Sequence, residues 1–261
     1  MSPLHGSVAI VGAADTRVGV VPDRTATELC IESILLALAD AGIHKDEVDG
    51  LVTCNSMAQP MLYHAEAIAE YLNIAPRYCF AAGAGGGTTF AVLQHAASAI
   101  VTGMAEVVVI AMADSLRSGL TRDQAMLMQS ATGHPQYEQP YGPTVPAYYA
   151  LIAQAHMARY GTRPEHFAEI AVACRAHAAR NPAAQMRDPI SVDDVLNSRM
   201  IADPLHLLDC SLVSDGGAAI ILVSAERARP AAAPGVCTGH GRGAWSRTHQ
   251  PGTGSHHLHG A

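Results

Sequence analysis

The chain has 261 residues and a formal charge of -7, with 16 Lys and Arg against 23 Asp and Glu; 49% is hydrophobic and 15% charged. With no basic stripe, nucleic-acid binding is not expected, and with no run of about 18 or more apolar residues neither is a membrane span. The N-terminus lacks the basic-then-apolar pattern of a signal peptide, and the six cysteines are scattered without C-x-x-C spacing, which suits reduced thiols in a cytoplasmic protein.

Residues 8–13, VAIVGA, read as a short buried strand ending in a glycine turn. Thr25 and Glu28 form a capping-box pattern that opens a helix through Ala41, closed by Gly42. Residues 48–54 hold a second strand, and residues 60–72 a second helix that stops before Pro76. The segment 77–113 organises the rest. A strand at 77–81 leads into the turn Gly83-Ala84-Gly85-Gly86-Gly87. Phe90, Val92, Leu93, Ala97, Ile100 and Val101 then follow with the period of a helix that buries one face. Gly103 sits where that helix would end in a left-handed cap, and residues 106–113, EVVVIAMA, read as a strand buried on both faces. Alternating strands and helices over the first 115 residues predict a mostly parallel sheet with helices on its faces.

Residues 114–146 break this rhythm. The stretch 133–146, GHPQYEQPYGPTVP, predicts an ordered loop. Helices are expected at 147–160 and 164–180, with a short capped helix at 191–198 and an irregular apolar stretch at 200–210. Asp215-Gly216-Gly217 reads as a turn into a fifth buried strand at 218–223, and residues 225–229 as the start of another helix. Between Gly235 and Ala261 there are seven glycines, five histidines and only two aliphatics, Val236 and Leu258, so this tail is not expected to order itself.

The turn, helix and strand of 77–113 resemble the nucleophile region of the thiolase superfamily, in particular its sterol-carrier and lipid-transfer-protein branch. The resemblance continues through HMARYGTRPEHFAEIAV and through NPAAQMRDPISVDDVLNSRMIADPLHLLDCSLVSDGGAAIILVSAERA, and spans residues 6–229. It implies an α/β fold, the N-terminal half of a thiolase-like αβαβα architecture with an inserted helical loop domain. The implied division is 1–115 with 211–229 as core, 116–210 as loop domain and 230–261 as a disordered tail outside the family. The tail carries neither the family's H-D-x-F histidine nor its C-terminal G-H-P, and reads like the product of a shifted frame. One face of the sandwich would then lie uncovered, which predicts a partner, a homodimer or poor solubility.

The family's nucleophilic cysteine belongs to an N-x-x-C-[AS]-[ST]-G turn. Aligned on Gly103-Met104-Ala105-Glu106 its position falls at about Gly86; aligned on the turn it falls as early as Gly83. No cysteine stands at either, so no catalytic residue is assigned. Cys79 lies upstream in the strand and is read as a core thiol. The resemblance implies acyl-CoA as substrate, with no cofactor beyond that coenzyme A thioester. It also implies lipid or steroid side-chain degradation by acyl transfer or retro-aldol cleavage, beside a homodimer partner or an OB-fold or zinc-ribbon subunit. A non-catalytic acyl-CoA-binding or lipid-binding subunit is the alternative.

Gly85, Gly86, Gly87 and Thr88 are the first substrate-binding candidates, because backbone N–H groups at a helix start can hold a thioester oxygen. Two other readings of the turn stay open. One is a phosphate cradle, although Thr88 replaces the last glycine of G-x-G-x-x-G and the expected acid is a displaced Asp114. The other is close packing of helix on sheet. His134, in Gly133-His134-Pro135, and Tyr141 are candidates through the position of their loop over the acyl-CoA channel. Tyr137, Tyr148 and Tyr149 flank it, and Cys210 is read as structural. Asp193, Asp194, Glu165 and Glu169 read as solvated helix positions. No metal site is expected: His240, His249, His256, His257 and His259 lie in a segment with no fixed geometry.

Overall fold

β-Branched and small apolar residues fill the central strand β4 (Val107–Ser115), and residues 107–111 are fully buried. Such a strand must be covered on both faces. Val107, Val109 and Ala111 belong to a core shared with helices α1 (Ala26–Ala41) and α2 (His64–Leu72). Val108, Ile110 and Met112 face the opposite side, where helix α3 (Thr88–Val101) supplies Val92, Ala96 and Ile100. Each fully buried valine or isoleucine here contributes about 1.5–3 kcal/mol relative to exposure. The computed structural model describes residues 4–228 apart from residues 84 and 132. The tail expectations, including the five histidines and the frame reading, lie outside the described residues.

The sheet has the order β1 (Val8–Asp15), β7 (Asp215–Ser224), β4, β2 (Gly50–Cys54), β3 (Tyr78–Ala82). β2 pairs in parallel with β3 and β4, whereas β7 pairs antiparallel with both β1 and β4. The expectation of a mostly parallel sheet is thus corrected. The first four strands share one direction, but β7 is wedged between two of them running the other way. The register gives the reason: Ser115, the last residue of β4, faces Asp215, the first of β7. The chain therefore leaves and re-enters the sheet at the same end, having passed through the helical segment between.

Local signals place most elements. Thr25 caps α1 with a complete capping box, and Gly42 closes it in the left-handed region at φ 67°. α2 begins at His64, later than Pro60, and ends at Asn73, itself left-handed at φ 52°. Gly103 stops α3, and Met104 N–H donates to Ala99 O at 2.9 Å. Between β4 and β7 lie α4 (Arg122–Ser130), α5 (Val145–Tyr160), α6 (Pro164–Ala178), α7 (Val192–Asn197) and a small hairpin, β5 (Met200–Ala202) with β6 (Leu205–His206). α4 was not expected; Thr121 and Gln124 cap it with reciprocal bonds of 2.9 and 3.2 Å. The hairpin replaces the irregular stretch expected at 200–210. The turn expected at 215–217 is the first part of β7, and residues 225–228 form a turn rather than a helix.

Candidate functional site at the start of helix α3

The glycine turn lies between β3 and α3, where the helix N-terminus meets the ends of the parallel strands. Gly85 takes φ 58°, a left-handed conformation that disfavours any side chain. Thr88, almost fully buried, donates its hydroxyl to Gly85 O at 2.7 Å and its N–H to the same oxygen at 3.1 Å. Gly87 is the N-cap residue, and no side chain caps the helix there. The first-turn N–H groups of a helix have no intrahelical acceptors, so the terminus carries a partial positive charge. A Cβ built on Gly83, Gly85 or Gly86 meets nothing within 4 Å. Close helix-to-sheet packing is therefore not why these residues lack side chains. Glycines of that kind lie elsewhere: a Cβ on Gly12 would come within 2.4 Å of Ala37 O, and one on Gly217 within 2.8 Å of Leu29 O.

Beneath the terminus, three side chains from the strand ends are gathered; sequence reasoning assigned neither Cys54 nor Met112 to the site and weighed Asp114 only as the displaced acid of a phosphate cradle. Cys54, the last residue of β2, hydrogen-bonds the Thr88 side chain. Burial pushes its thiol above the ordinary range; the Thr88 bond opposes this and the charge of Asp114 adds to it. Met112 of β4 accepts a bond from the Thr89 hydroxyl at 3.4 Å. Asp114, two residues on, accepts from Ser56 Oγ at 2.9 Å and from the N–H groups of Met57 at 2.7 Å and Ala58 at 3.1 Å. Asp114 thus fixes the loop that follows β2. The signal that could have found these residues is their position at the C-terminal ends of parallel strands, where ligands gather in open α/β sheets. On the other sheet face His64 is buried against Thr53, with Nδ1 and Oγ1 2.8 Å apart. Its burial lowers the imidazole pKa, with the Asp114 charge opposing.

A second carboxylate, Asp215, anchors the neighbouring loops. It is buried and accepts from Val21 N–H at 2.9 Å, Arg117 N–H at 2.7 Å, Ser118 N–H at 3.0 Å and Ser118 Oγ at 2.6 Å. Burial alone would raise its pKa, but these four donors outweigh that and lower it.

His134 and Tyr141 lie in the loop before α5. His134 stacks on Tyr137 at 4.7 Å, accepts from Gln136 N–H at 3.2 Å through Nδ1, and donates its own N–H to Glu138 Oε2. Tyr141 is 85% exposed, and its backbone N–H donates to Glu138 O at 3.0 Å. These contacts hold the loop to itself. Cys79, in β3, is a half-buried thiol pushed up to about 11, first by burial and then by the charge of Glu66.

Beside α3 the sheet is open. Val8, Ile10, Phe90, Leu93, Ala97 and Leu222 line a groove of 530 Å³, in which Phe90 is 76% exposed. Among the described residues, no helix is long and apolar enough to cross a membrane.

The chain is similar to a steroid side-chain-cleaving aldolase of Thermomonospora curvata, 39% identical over 237 residues, which make up 88% of this chain and 60% of the relative. It is also similar to the 17-hydroxy-3-oxo-4-pregnene-20-carboxyl-CoA lyase of Mycobacterium tuberculosis, 39% identical over 235 residues, 87% of this chain and 60% of the lyase. Among solved structures, the Ltp2-ChsH2(DUF35) aldolase superposes with a TM-score of 0.70 at 38% identity, over 86% of this chain and 57% of that one. The chain thus spans about 60% of the length of these curated relatives. The thiolase N-terminal domain matches residues 8–226, almost the whole described chain, so this protein belongs to the thiolase family.

Proposed function

We propose that this chain acts on or binds acyl-CoA thioesters of lipid or steroid side-chain origin, as the N-terminal part of a retro-aldol lyase rather than a thioester-forming acyltransferase. The observation that carries this reading is the start of α3: an open helix terminus with free space at Gly86 and no thiol in the turn. Cys54, the thiol that the fold brings to the terminus, is held protonated by burial. In a retro-aldol cleavage a base removes the proton of a hydroxyl β to the thioester carbonyl. The electrons of the broken C–C bond then pass to the thioester oxygen as an enolate, which a proton later quenches. N–H groups at residues 85–87 suit that oxygen, whereas the Thr88 N–H is taken by Gly85 O. The relatives named as an aldolase and a CoA lyase support the same reaction class.

The division into a core of 1–115 with 211–229, a loop domain of 116–210 and a tail of 230–261 belongs to this reading. So do His134 and Tyr141 as groups over the acyl-CoA channel, a homodimer or a heteromer with an OB-fold or zinc-ribbon subunit, and a cytoplasmic location. Cys30, Cys54, Cys79, Cys174 and Cys210, all free, support a reducing compartment. A second reading, a non-catalytic acyl-CoA-binding or lipid-binding subunit, is favoured by the open apolar groove and by the two-component name of the similar aldolase.

The test is to incubate the purified chain with acetyl-CoA and record its intact mass, alongside calorimetric titration of the same ligand. Binding without a covalent adduct is expected. A stable acyl adduct on any cysteine would sink the assignment, because it would show thioester-forming chemistry. Turnover of a β-hydroxyacyl-CoA only after a partner is added would place the chain in the second reading.

A further inference from the structure

Helix α5 is fixed to the protein along one narrow stripe. Ala150 and Ala153 are its buried residues, and Gln154 Nε2 donates to Asp203 O at 2.9 Å and to Asp203 Oδ2 at 3.1 Å, which ties the helix to the hairpin of β5 and β6. Beside that stripe runs a second one, Val145, Tyr149, Ile152, His156 and Tyr160, spaced by three or four residues and therefore on one face. All five are exposed, Tyr149, Ile152 and Tyr160 by 62%, 65% and 62%. A contiguous apolar and aromatic face in water marks a surface that another molecule covers.

Charge, symmetry and area all select a second copy of this chain as that molecule. The chain carries a formal charge of -7, so two copies repel wherever acidic surface meets acidic surface; from residue 124 to residue 158 the only charged side chain is Glu138. Depletion of charge with enrichment of tyrosine is the composition of an interface core. The spacing is also self-complementary. Val145 and Tyr160 lie equally far from a midpoint beside Ile152, and so do Tyr149 and His156. A two-fold axis at that midpoint runs the two helices antiparallel, sets Tyr149 of each copy against His156 of the other, and brings the two Ile152 side chains together. A two-fold contact requires self-complementarity of this kind. A stable interface takes about 800 Å² from each partner. Tyr149, Tyr160 and the exposed Tyr141 just before the helix offer about 150–250 Å² each, and Val145, Leu151 and Ile152 bring the total to that order. One end of the stripe is already rigid: the His156 ring lies 4.6 Å from that of Tyr160, and Thr162 Oγ1 lies 2.9 Å from His156 Nδ1. Little ordering remains to be done there on association. The end of the chain is a poor substitute occupant, since between Gly235 and Ala261 its only aliphatics are Val236 and Leu258.

We propose that two copies of this chain pair through α5, antiparallel about a two-fold axis beside Ile152. This deepens the homodimer reading above by assigning its surface, and it rests on that reading.

The experiment uses the full chain with Phe90→Glu and Cys174→Ser in every protein, so that neither the groove beside α3 nor the exposed native thiol contributes. Sedimentation should show a dimer. Ile152→Glu, at an exposed position, should weaken it at least tenfold while leaving the urea midpoint unchanged. Under mild oxidation Ile152→Cys should form a disulfide-linked dimer on a non-reducing gel, because the axis places the two thiols face to face. Ala158→Cys, exposed on another side of the same helix, should stay largely monomeric on that gel. A dimer that survives Ile152→Glu, or that cross-links equally at residues 152 and 158, overturns the α5 interface and leaves the homodimer reading standing. A chain that sediments as a monomer at high concentration overturns both.

Discussion

His64 shows how one side chain links stability to pH. It is buried against Thr53 on the α2 face, and that burial depresses its pKa below the ordinary 6.5. In the unfolded chain it takes up a proton near that ordinary value, but in the fold it resists. Stability is therefore intact above about 6.5 and is lost as pH falls toward the lower folded value. Urea unfolding midpoints at pH 7.5 and 5.5 should fall more for the wild type than for His64→Gln. Equal falls would show that His64 does not govern this window. Asp215 acts in the same direction lower on the scale: its depressed pKa stabilises the fold above about 3.8, and this contribution disappears as pH drops through the folded value.

Helix α1 approaches the sheet so closely that glycine is required where it crosses β1 and β7, while the glycines before α3 face open space. The two groups look alike in the sequence and differ in what surrounds them. Gly12→Ala forces its methyl group against Ala37 O and Ala41 Cβ, and should cost about 1–3 kcal/mol in chemical unfolding. Gly86→Ala should leave the unfolding midpoint within about 0.5 kcal/mol of the wild type while weakening acetyl-CoA binding. A large stability loss in Gly86→Ala would mean that the turn is tight for structural reasons and would remove the case for a ligand there.

Over the whole molecule, the sheet is covered fully on the α1–α2 face and only in part on the α3 face. Ile10, Phe90 and Met104 remain 51%, 76% and 47% exposed, and the first two line the open groove. Contiguous apolar surface of this kind favours association. Sedimentation of the wild type should show concentration-dependent self-association, which Phe90→Glu reduces without changing the unfolding midpoint. A wild type that stays monomeric at high concentration would show that the groove does not drive assembly in this chain.

Much of this architecture is local and therefore legible in the sequence. The capping box at Thr25, the glycine stops at Gly42 and Gly103, the doubly buried run 107–111 and the turn before α3 each depend on neighbours within a few residues. The order of motifs was enough to imply a thiolase-like fold, and the family match agrees. The placement of β7 was not legible, because nothing in AAIILV states whether a buried strand runs parallel or antiparallel; the end at which the chain re-enters the sheet decides it. The same holds for Cys54, for Met112 and for what Asp114 binds. Each is an ordinary residue at a strand end or in a loop, and β2, β4 and α3 had to be packed together before they could share one rim. Sequence separations of 57 or 98 residues, as between Met57 and Asp114 or Arg117 and Asp215, are closed only by tertiary structure.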